Sequence, residues 1–292
     1  MNYHLERTIS GSGSDSAQFA AALRGLALGA NDQLYTVGDS AVKVLAPSGE
    51  LLRQWRTERP GFSVAIADNN AIYVGETGQV EIFDAEGNPL KTWRDPERLE
   101  IVTAIGFLND EVLLGDVGGR CIRRFNRQGE YLGDIGNQGR MRGFLIPNRH
   151  VDFAIDDSGT IHAANPGKHR VERYSRAGEL LGHFGRFDGQ DPAGFTGCCN
   201  PTNITLTARG DIVVTEKAGP RVKVYDAKGK LLAVFGEKDF DPNCKNMDVA
   251  ADSQGRIYVI DTVRRQILVF APETASPTTQ PAAAGRGGTV KP

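Results

Sequence analysis

The sequence predicts an all-β fold, a six-bladed β-propeller built from four-stranded antiparallel blades. Six segments share an apolar, β-rich run that closes on a polar residue. They are QLYTVGD, AIYVGET, EVLLGDV, TIHAANP, DIVVTEK and RIYVIDT, and their polar residues are Asp39, Glu76, Asp116, Asn165, Glu216 and Asp261. These residues are spaced by 37, 40, 49, 51 and 45 positions. The spacing is typical of a propeller blade, which repeats about every 40 to 50 residues.

The remaining strands of each blade follow from the run after each polar residue. Apolar and polar side chains alternate there, which is typical of a strand. Five of the six runs, such as AVKVLAPSGELL, then pass a glycine turn into a fourth strand. The sixth run stops at Phe270 and Ala271, so the last blade lacks its outer strand. The N-terminal YHLERTIS has the same pattern, and its pairing with QILVFA would close the ring and cover two exposed edges.

The repeats predict one folded domain followed by a tail. The propeller spans residues 1–272, with blades at approximately 23–60, 61–100, 101–148, 149–201, 202–245, and 246–272 plus 2–10. Residues 273–292 are rich in Pro, Ala and Gly and bury too little apolar surface to fold, so we expect a disordered tail.

Composition excludes several classes of function. The 34 Lys and Arg nearly balance 36 Asp and Glu, and no basic run stands out, which argues against nucleic-acid binding. No segment approaches the ~18 to 20 apolar residues that span a bilayer. Residues 1–10 also lack an export signal. We expect an extracytoplasmic protein, periplasmic or secreted, whose signal has been removed; a cytoplasmic location is the alternative.

Two fragments indicate a family. GRIYVIDTVRRQILVF (255–270) and GKHRVERYSRAGELLGHFG (167–185) resemble the NHL repeat, and the resemblance extends over residues ~20 to 271. It implies a propeller that often acts as a binding platform and in some relatives as an enzyme. Known catalytic motifs are missing from the sequence, so we lean against an enzyme. The family's arginine position is expected to brace Asp116, Glu216 or Asp261, and it is occupied by Arg120, Arg170, Arg221 and Arg265.

Three of the four cysteines precede inner strands when the blades are aligned. CNPTNITL and CKNMDVAA place Cys199 opposite Cys244, and His150 lies in the equivalent loop of blade 4. We therefore expect one cofactor- and metal-binding set at the mouth of the central channel, made of Cys198, Cys199, Cys244 and His150. Thiolates select copper, zinc or an iron-sulfur cluster. The leading hypothesis is a metal or redox centre for electron transfer or metal handling.

Two other interpretations of the cysteines remain open. Cys198 and Cys199 could form a vicinal disulfide on a cofactor-free scaffold that binds a protein or ligand, which requires an oxidising compartment. They could also be small buried thiols without a partner. Whether the protein carries a metal or redox centre or is a cofactor-free scaffold, the long loops entering blades 4 and 5 favour a protein or redox partner at the loop face of blades 4 to 6.

A third function would use oxygen ligands in the channel. Asp152, Asn203 and Asp248 align as channel polar residues and are suited to calcium, as in a lactonase-like hydrolase. Their counterparts in blades 1 to 3 are predicted to be Gly25, Val64 and Ala104, which supply no oxygen side chain. Calcium is therefore the less favoured cofactor.

Overall fold

Six four-stranded antiparallel sheets form a ring around a central channel in the computed structural model, which describes residues 1–10, 19–136, 143–217 and 219–273. The predicted fold class is confirmed. The predicted disordered tail from residue 274 onward lies outside the described residues. Blades 1 to 5 are each built from four consecutive strands, because tight turns join antiparallel neighbours.

The strands run from the channel outward in each blade. Blades 1 to 3 contain β2 (Leu23–Leu28), β3 (Leu34–Gly38), β4 (Ala41–Leu45) and β5 (Leu51–Arg56); β6 (Ser63–Ile66), β7 (Ile72–Gly75), β8 (Gln79–Phe83) and β9 (Pro89–Arg94); and β10 (Val102–Leu108), β11 (Glu111–Asp116), β12 (Cys121–Asn126) and β13 (Tyr131–Ile135). Blades 4 and 5 contain β14 (Phe153–Ile155), β15 (Ile161–Asn165), β16 (Arg170–Tyr174) and β17 (Leu180–Phe184); and β18 (Ile204–Leu206), β19 (Ile212–Glu216), β20 (Arg221–Tyr225) and β21 (Leu231–Phe235).

The sixth blade joins the two ends of the described chain. It contains β22 (Val249–Ala251), β23 (Ile257–Asp261), β24 (Gln266–Pro272) and, as its outer strand, β1 (Tyr3–Ser10). β1 pairs antiparallel with β24, with Tyr3 opposite Pro272 and Ile9 opposite Ile267. Because both isoleucines are buried, the pairing adds apolar contact as well as backbone hydrogen bonds. The predicted closure of the ring by the N-terminal strand is therefore confirmed.

The hydrophobic core lies between the blades. Every residue of β7 and β8 is buried, since each face of a blade packs on a neighbouring blade. The outer hairpin turns also pack inward. Gly87 has a φ of +92°, and a Cβ atom there would lie 2.6 Å from the Trp55 ring, so both conformation and space require glycine.

Charged side chains brace the second and third strands of several blades. Arg221 pairs with Glu216 as predicted. In blade 3, however, the partner of Asp116 is Arg123, at 3.1 Å, and not Arg120. The expectation for Arg265 was also wrong. Its guanidinium donates to the Ala20 carbonyl, while Arg264 approaches Asp261 at 3.5 Å. In blade 3, therefore, Arg123 within the third strand pairs with Asp116, and Arg120 in the preceding turn does not.

Candidate functional site

Alternate residues of the loops entering blades 4 to 6 point toward the channel, because alternate residues of extended backbone share a face. We call six of these residues the polar ladder: Asn148, His150, Asp152, Asn203, Asn246 and Asp248. Asn148 Nδ2 donates to Asn246 Oδ1 at 2.9 Å, which links blade 4 to blade 6. At the next residues of the ladder, Asn203 Nδ2 lies 2.8 Å from His150 Nε2 and 3.4 Å from Asp248 Oδ1.

The two ladder carboxyls also join neighbouring blades. Asp152 accepts hydrogen bonds from its neighbour's amide and from the Ile204 amide of blade 5, at 2.9 Å. Asp248 accepts one from the Leu26 amide of blade 1, at 2.8 Å, and one from Val249 at 3.0 Å. These contacts satisfy backbone donors that would otherwise be buried without a partner.

Burial sets the protonation states of the ladder. It raises the pKa of Asp152 well above its usual range, and the charge of Asp248 raises it further. Burial also raises the pKa of Asp248 to about 6 and lowers the pKa of His150 to about 4. At neutral pH the ladder therefore holds a neutral imidazole at His150 and a mostly ionised Asp248, while burial disfavours the charged form of Asp152. Asn203 Oδ1 is buried and has no hydrogen-bond partner among the described residues.

The central cavity has a volume of about 470 Å³. The inner strands line it with apolar side chains such as Val64, Ile105 and Phe153 and with backbone. Asp152 and Asp248 line it at the ladder, and His150 and Asn203 are buried. The last residues of most inner strands, by contrast, are half-buried.

The prediction that blades 1 to 3 offer no oxygen side chain at this level was wrong. Ser63 of blade 2 and Thr103 of blade 3 also line the cavity. In blade 2 the residue opposite Gly75 is Ser63, one position before the predicted Val64. Both hydroxyls bond to the next blade, Ser63 to the Val102 carbonyl and Thr103 to the Val151 carbonyl.

The cysteines are free thiols in different surroundings. Cys198 is exposed and Cys199 is buried, and their Sγ atoms lie 2.8 Å apart. The hydrogen bond with Cys199 lowers the pKa of Cys198, and burial raises the pKa of Cys199. Cys244 is buried in blade 6, where its Sγ donates to Asp261 Oδ1 at 3.1 Å. Burial raises the pKa of Cys121, in blade 3, to about 12.

The loop that presents the cysteine pair is anchored to blade 5. Gly197 turns the chain with a φ of +72° immediately before Cys198. Upstream, the Phe195 side chain is fully buried, and the buried Lys223 ammonium donates to the Gly194 carbonyl. Downstream, Asn200 Oδ1 accepts the Lys217 amide at 2.8 Å. The cysteine pair is therefore held on a backbone fixed at both ends.

The structure brings together only part of the predicted metal-binding set. Cys198 touches Cys199, whereas Cys244 is bonded to Asp261 and His150 to Asn203. Among the described residues, no group of three or more His, Cys, Asp and Glu side chains is placed to hold a metal ion. In the same residues, no helix has the length and apolar character needed to cross a bilayer.

The fold and the channel site define a class of protein, a six-bladed propeller with a polar group at one end of its channel. No protein-family model matches the chain. It is 24% identical over 133 residues to Protein brain tumor of Drosophila melanogaster, covering 46% of this chain and 12% of that protein. It is 22% identical over 233 residues to human (Homo sapiens) NHL repeat-containing protein 3, covering 74% of this chain and 66% of that protein.

Weak homology to these two NHL-repeat proteins and the six-bladed fold together support an NHL-type propeller. The chain spans less than two thirds of the length of either relative. The predicted resemblance is confirmed at this level.

Solved structures share the fold. The WD40 β-propeller domain of Doa1 has a TM-score of 0.62 and 14% identity, with 93% of this chain and 97% of that chain covered. Virginiamycin B lyase from Staphylococcus aureus has a TM-score of 0.61 and 11% identity, with 93% and 100% covered. A protein of unknown function from Bacteroides thetaiotaomicron has a TM-score of 0.69 and 14% identity, with 91% and 75% covered. At such identities the likeness shows the fold alone.

Proposed function

We propose that this NHL-type propeller is a binding scaffold that holds a small amphipathic ligand in its central cavity. One observation carries the proposal: a cavity of about 470 Å³ is lined by apolar side chains of the inner strands, among them Val64, Ile105 and Phe153, and by the two carboxyl groups of Asp152 and Asp248. Ligand sites commonly have volumes of about 300 to 1,000 Å³, with mostly apolar walls and a few placed polar groups.

The polar end determines the chemistry of the ligand. With a pKa of about 6, Asp248 is mostly ionised at neutral pH. A negative charge at one end of the cavity favours a cationic or strongly hydrogen-bond-donating head group. The valine, isoleucine and phenylalanine side chains of the inner strands favour an apolar body. A short alkylammonium ion combines these two features and serves as a probe.

The probe experiment is calorimetric titration with hexylammonium at neutral pH. We expect one molecule to bind, and Asp248→Asn to weaken binding by about tenfold or more, because about 1.4 kcal/mol of charge interaction corresponds to a factor of ten. Hexanoate, with the opposite charge, should bind less tightly than hexylammonium. Glu86→Gln removes one charge from an exposed turn and serves as the matched control.

Equal binding of hexylammonium to the wild type and Asp248→Asn, or no binding to either, would refute the channel proposal. The same carboxyls carry the calcium-dependent hydrolase alternative, with Asn203 as a third oxygen ligand. That alternative requires calcium-stimulated lactone hydrolysis that is lost in Asp152→Asn, and it is discarded if calcium leaves the hydrolysis rate unchanged.

We propose a second function for the cysteine pair, a redox or soft-metal centre on the loop face of blades 4 to 6. The 2.8 Å separation of the Cys198 and Cys199 sulfurs supports it. An exposed thiol with a lowered pKa is the form that reacts with disulfides and binds copper, zinc or iron-sulfur clusters. Recruitment of Cys244 and His150 would require both to leave their present hydrogen-bond partners.

Elemental analysis of protein purified without oxygen or chelators tests the metal form of this centre. Near-stoichiometric copper, zinc or iron that disappears in Cys199→Ser would support it, and Cys121→Ser is the matched control. Metal-free protein would reject it. Mass spectrometry after alkylation then separates a vicinal disulfide, which is two hydrogens lighter and unlabelled, from two free thiols.

We further propose that a protein or redox partner contacts this loop face. Phe187 lies on the same loop as Cys198 and is 64% exposed, an uncommon position for a large apolar ring. Loss of a captured partner in Phe187→Ala, with Leu181→Ala as control, tests the face.

We also propose that the protein is extracytoplasmic. A persistent disulfide at Cys198 and Cys199 would require an oxidising compartment. Cell fractionation of the natural host tests the location.

A further inference from the structure

Blade 2 differs from its neighbours at one position of the third strand. The side chain at this position faces the acidic residue at the end of the second strand. This position is the third-strand residue paired with Val74, Leu114 and Val214 in blades 2, 3 and 5. In blades 3 and 5 it is a cation, Arg123 or Lys223, which pairs with Asp116 or Glu216 at 3.1 and 3.2 Å. In blade 2 it is Glu81, so an acid faces the acid Glu76.

The two blade 2 carboxyls are buried together. Glu76 is fully buried and Glu81 is 8% exposed, and the charge of Glu81 acts on the Glu76 carboxyl. Among the described residues neither has an ion-pair partner. Glu76 Oε1 and Glu81 Oε2 accept the backbone amides of Arg59 and Glu58. The Arg59 guanidinium does not compensate the charge, because it donates to the Thr77 carbonyl.

A third oxygen at the pair is unused. Gln79 is fully buried, and its Nε2 donates to Glu76 Oε2 at 2.6 Å. Its Oε1 has no hydrogen-bond partner among the described residues. A buried amide oxygen without a donor is unfavourable by about 1 to 3 kcal/mol, so this atom is available to a cation or a buried water.

Electrostatics agree with this geometry. Burial, together with the nearby Glu81, raises the pKa of Glu76 to about 8 against the opposing hydrogen bond from Gln79. Two neighbouring buried carboxyls without a cation between them disfavour the state in which both are ionised.

We propose that Glu76, Glu81 and Gln79 form a calcium site in blade 2, in which the ion occupies the role that Arg123 and Lys223 fill in blades 3 and 5. Calcium suits the donor set, since carboxylate and amide oxygens are its usual ligands and it tolerates irregular geometry. Magnesium is the poorer fit, because it requires near-ideal octahedral geometry at short metal–oxygen distances. Calcium would be held by ionised carboxylates, so any proton on either carboxyl would be released to solvent on binding.

The site would have a structural effect outside the channel. The amides bonded to its carboxyls belong to Glu58 and Arg59, in the connection between β5 and β6. Calcium would therefore fasten the link between blades 1 and 2. This proposal is independent of the channel ligand and of the cysteine pair.

Chelator-treated full-length protein titrated with CaCl2 alone tests the site, by calorimetry and by thermal unfolding. We expect one calcium ion to bind with a Kd of about 10⁻⁴ to 10⁻³ M, in the range of extracellular calcium modules. Calcium should also raise the Tm. Glu81→Gln should weaken binding by about tenfold or more. Asp248→Asn, which alters only the channel carboxyls, should bind calcium like the wild type.

Glu81→Lys separates loss of the site from loss of folding. It restores the charge arrangement of blade 5, so we expect a folded protein with a higher Tm than the calcium-free wild type and no response to calcium. Absence of both heat and Tm shift in the wild type would overturn the proposal. Calcium binding that persists in Glu81→Gln and Glu81→Lys, or that disappears in Asp248→Asn, would overturn it as well.

Discussion

At the scale of single residues, aligning the repeats places Asp152, Asn203 and Asp248 at equivalent positions. In the structure Asp152 and Asp248 line the cavity, and Asn203 Nδ2 lies 3.4 Å from Asp248 Oδ1. The partners of the thiols were not predictable in the same way. Cys244 donates to Asp261, which is distant in the sequence, and such pairs depend on where a turn places each side chain. Glu81 was missed for the same reason, because only strand register shows that it faces Glu76.

A histidine in blade 4 shows how a local hydrogen-bond network affects the stability of the fold at low pH. His162 is packed and lies with Nε2 2.9 Å from Asp156 Oδ2. Burial of Asp156 raises its pKa, but hydrogen bonds from Ser158 and His162 outweigh burial and lower the pKa to about 2. A lowered carboxyl pKa stabilises the fold above the unfolded value of ~3.9.

We therefore expect this contribution to be lost as the pH falls from about 4 to about 2. Asp156→Asn should lower the free energy of unfolding by about 1 to 2 kcal/mol at pH 7 and show a smaller further loss than the wild type below pH 4. Urea unfolding from pH 7 to pH 2 measures both. Asp157→Asn, at the exposed neighbouring position, is the control, and parallel pH profiles would contradict the assignment.

At the scale of elements, contacts between inner strands hold adjacent blades together. Thr103 Oγ1 accepts the Val151 amide at 3.1 Å and donates to the Val151 carbonyl at 2.7 Å. The sequence alignment missed this residue because β10 contains an irregularity between Val102 and Ala104, which shifts the register there. Periodicity predicts that a strand exists more reliably than it predicts which residue lies at its irregular end.

Thr103→Val should destabilise the protein by about 1 to 3 kcal/mol, because the new side chain has the same shape but leaves a buried amide and carbonyl without their partner. The measurement is the urea midpoint at constant m-value. Thr92→Val makes the same chemical change at a half-buried residue of the mostly exposed β9 and should have a small effect. Equal effects of the two substitutions would show that the inter-blade bonds contribute nothing specific.

At the scale of the whole molecule, the repeat spacing predicts six blades and the sequence of the N-terminal strand predicts closure. Both are properties of the pattern and do not require side-chain geometry. The burial of His150 and Asn203 was not predictable from the repeat spacing, since it depends on how the loops of neighbouring blades pack against one another.

Deletion of residues 1–10 should lower the Tm and cause concentration-dependent association, because β24 then becomes an exposed edge strand. Thr8→Pro should produce a similar effect without shortening the chain, since proline removes a backbone donor within β1. Light scattering across a protein dilution series measures association, and Glu6→Gln on the exposed side of β1 is the control. A monomeric deletion variant with an unchanged Tm would contradict the role of β1.

The pairing of β1 with β24 has a consequence for synthesis on the ribosome. Tyr3 is made long before its partner Pro272, because the two residues lie in strands at opposite ends of the propeller sequence. At about 5 to 20 residues per second, β1 waits roughly 13 to 54 seconds before its partner strand is made. During that interval the nascent protein carries an unpaired strand, so a chaperone that shields β1 would act on this protein before β24 is complete.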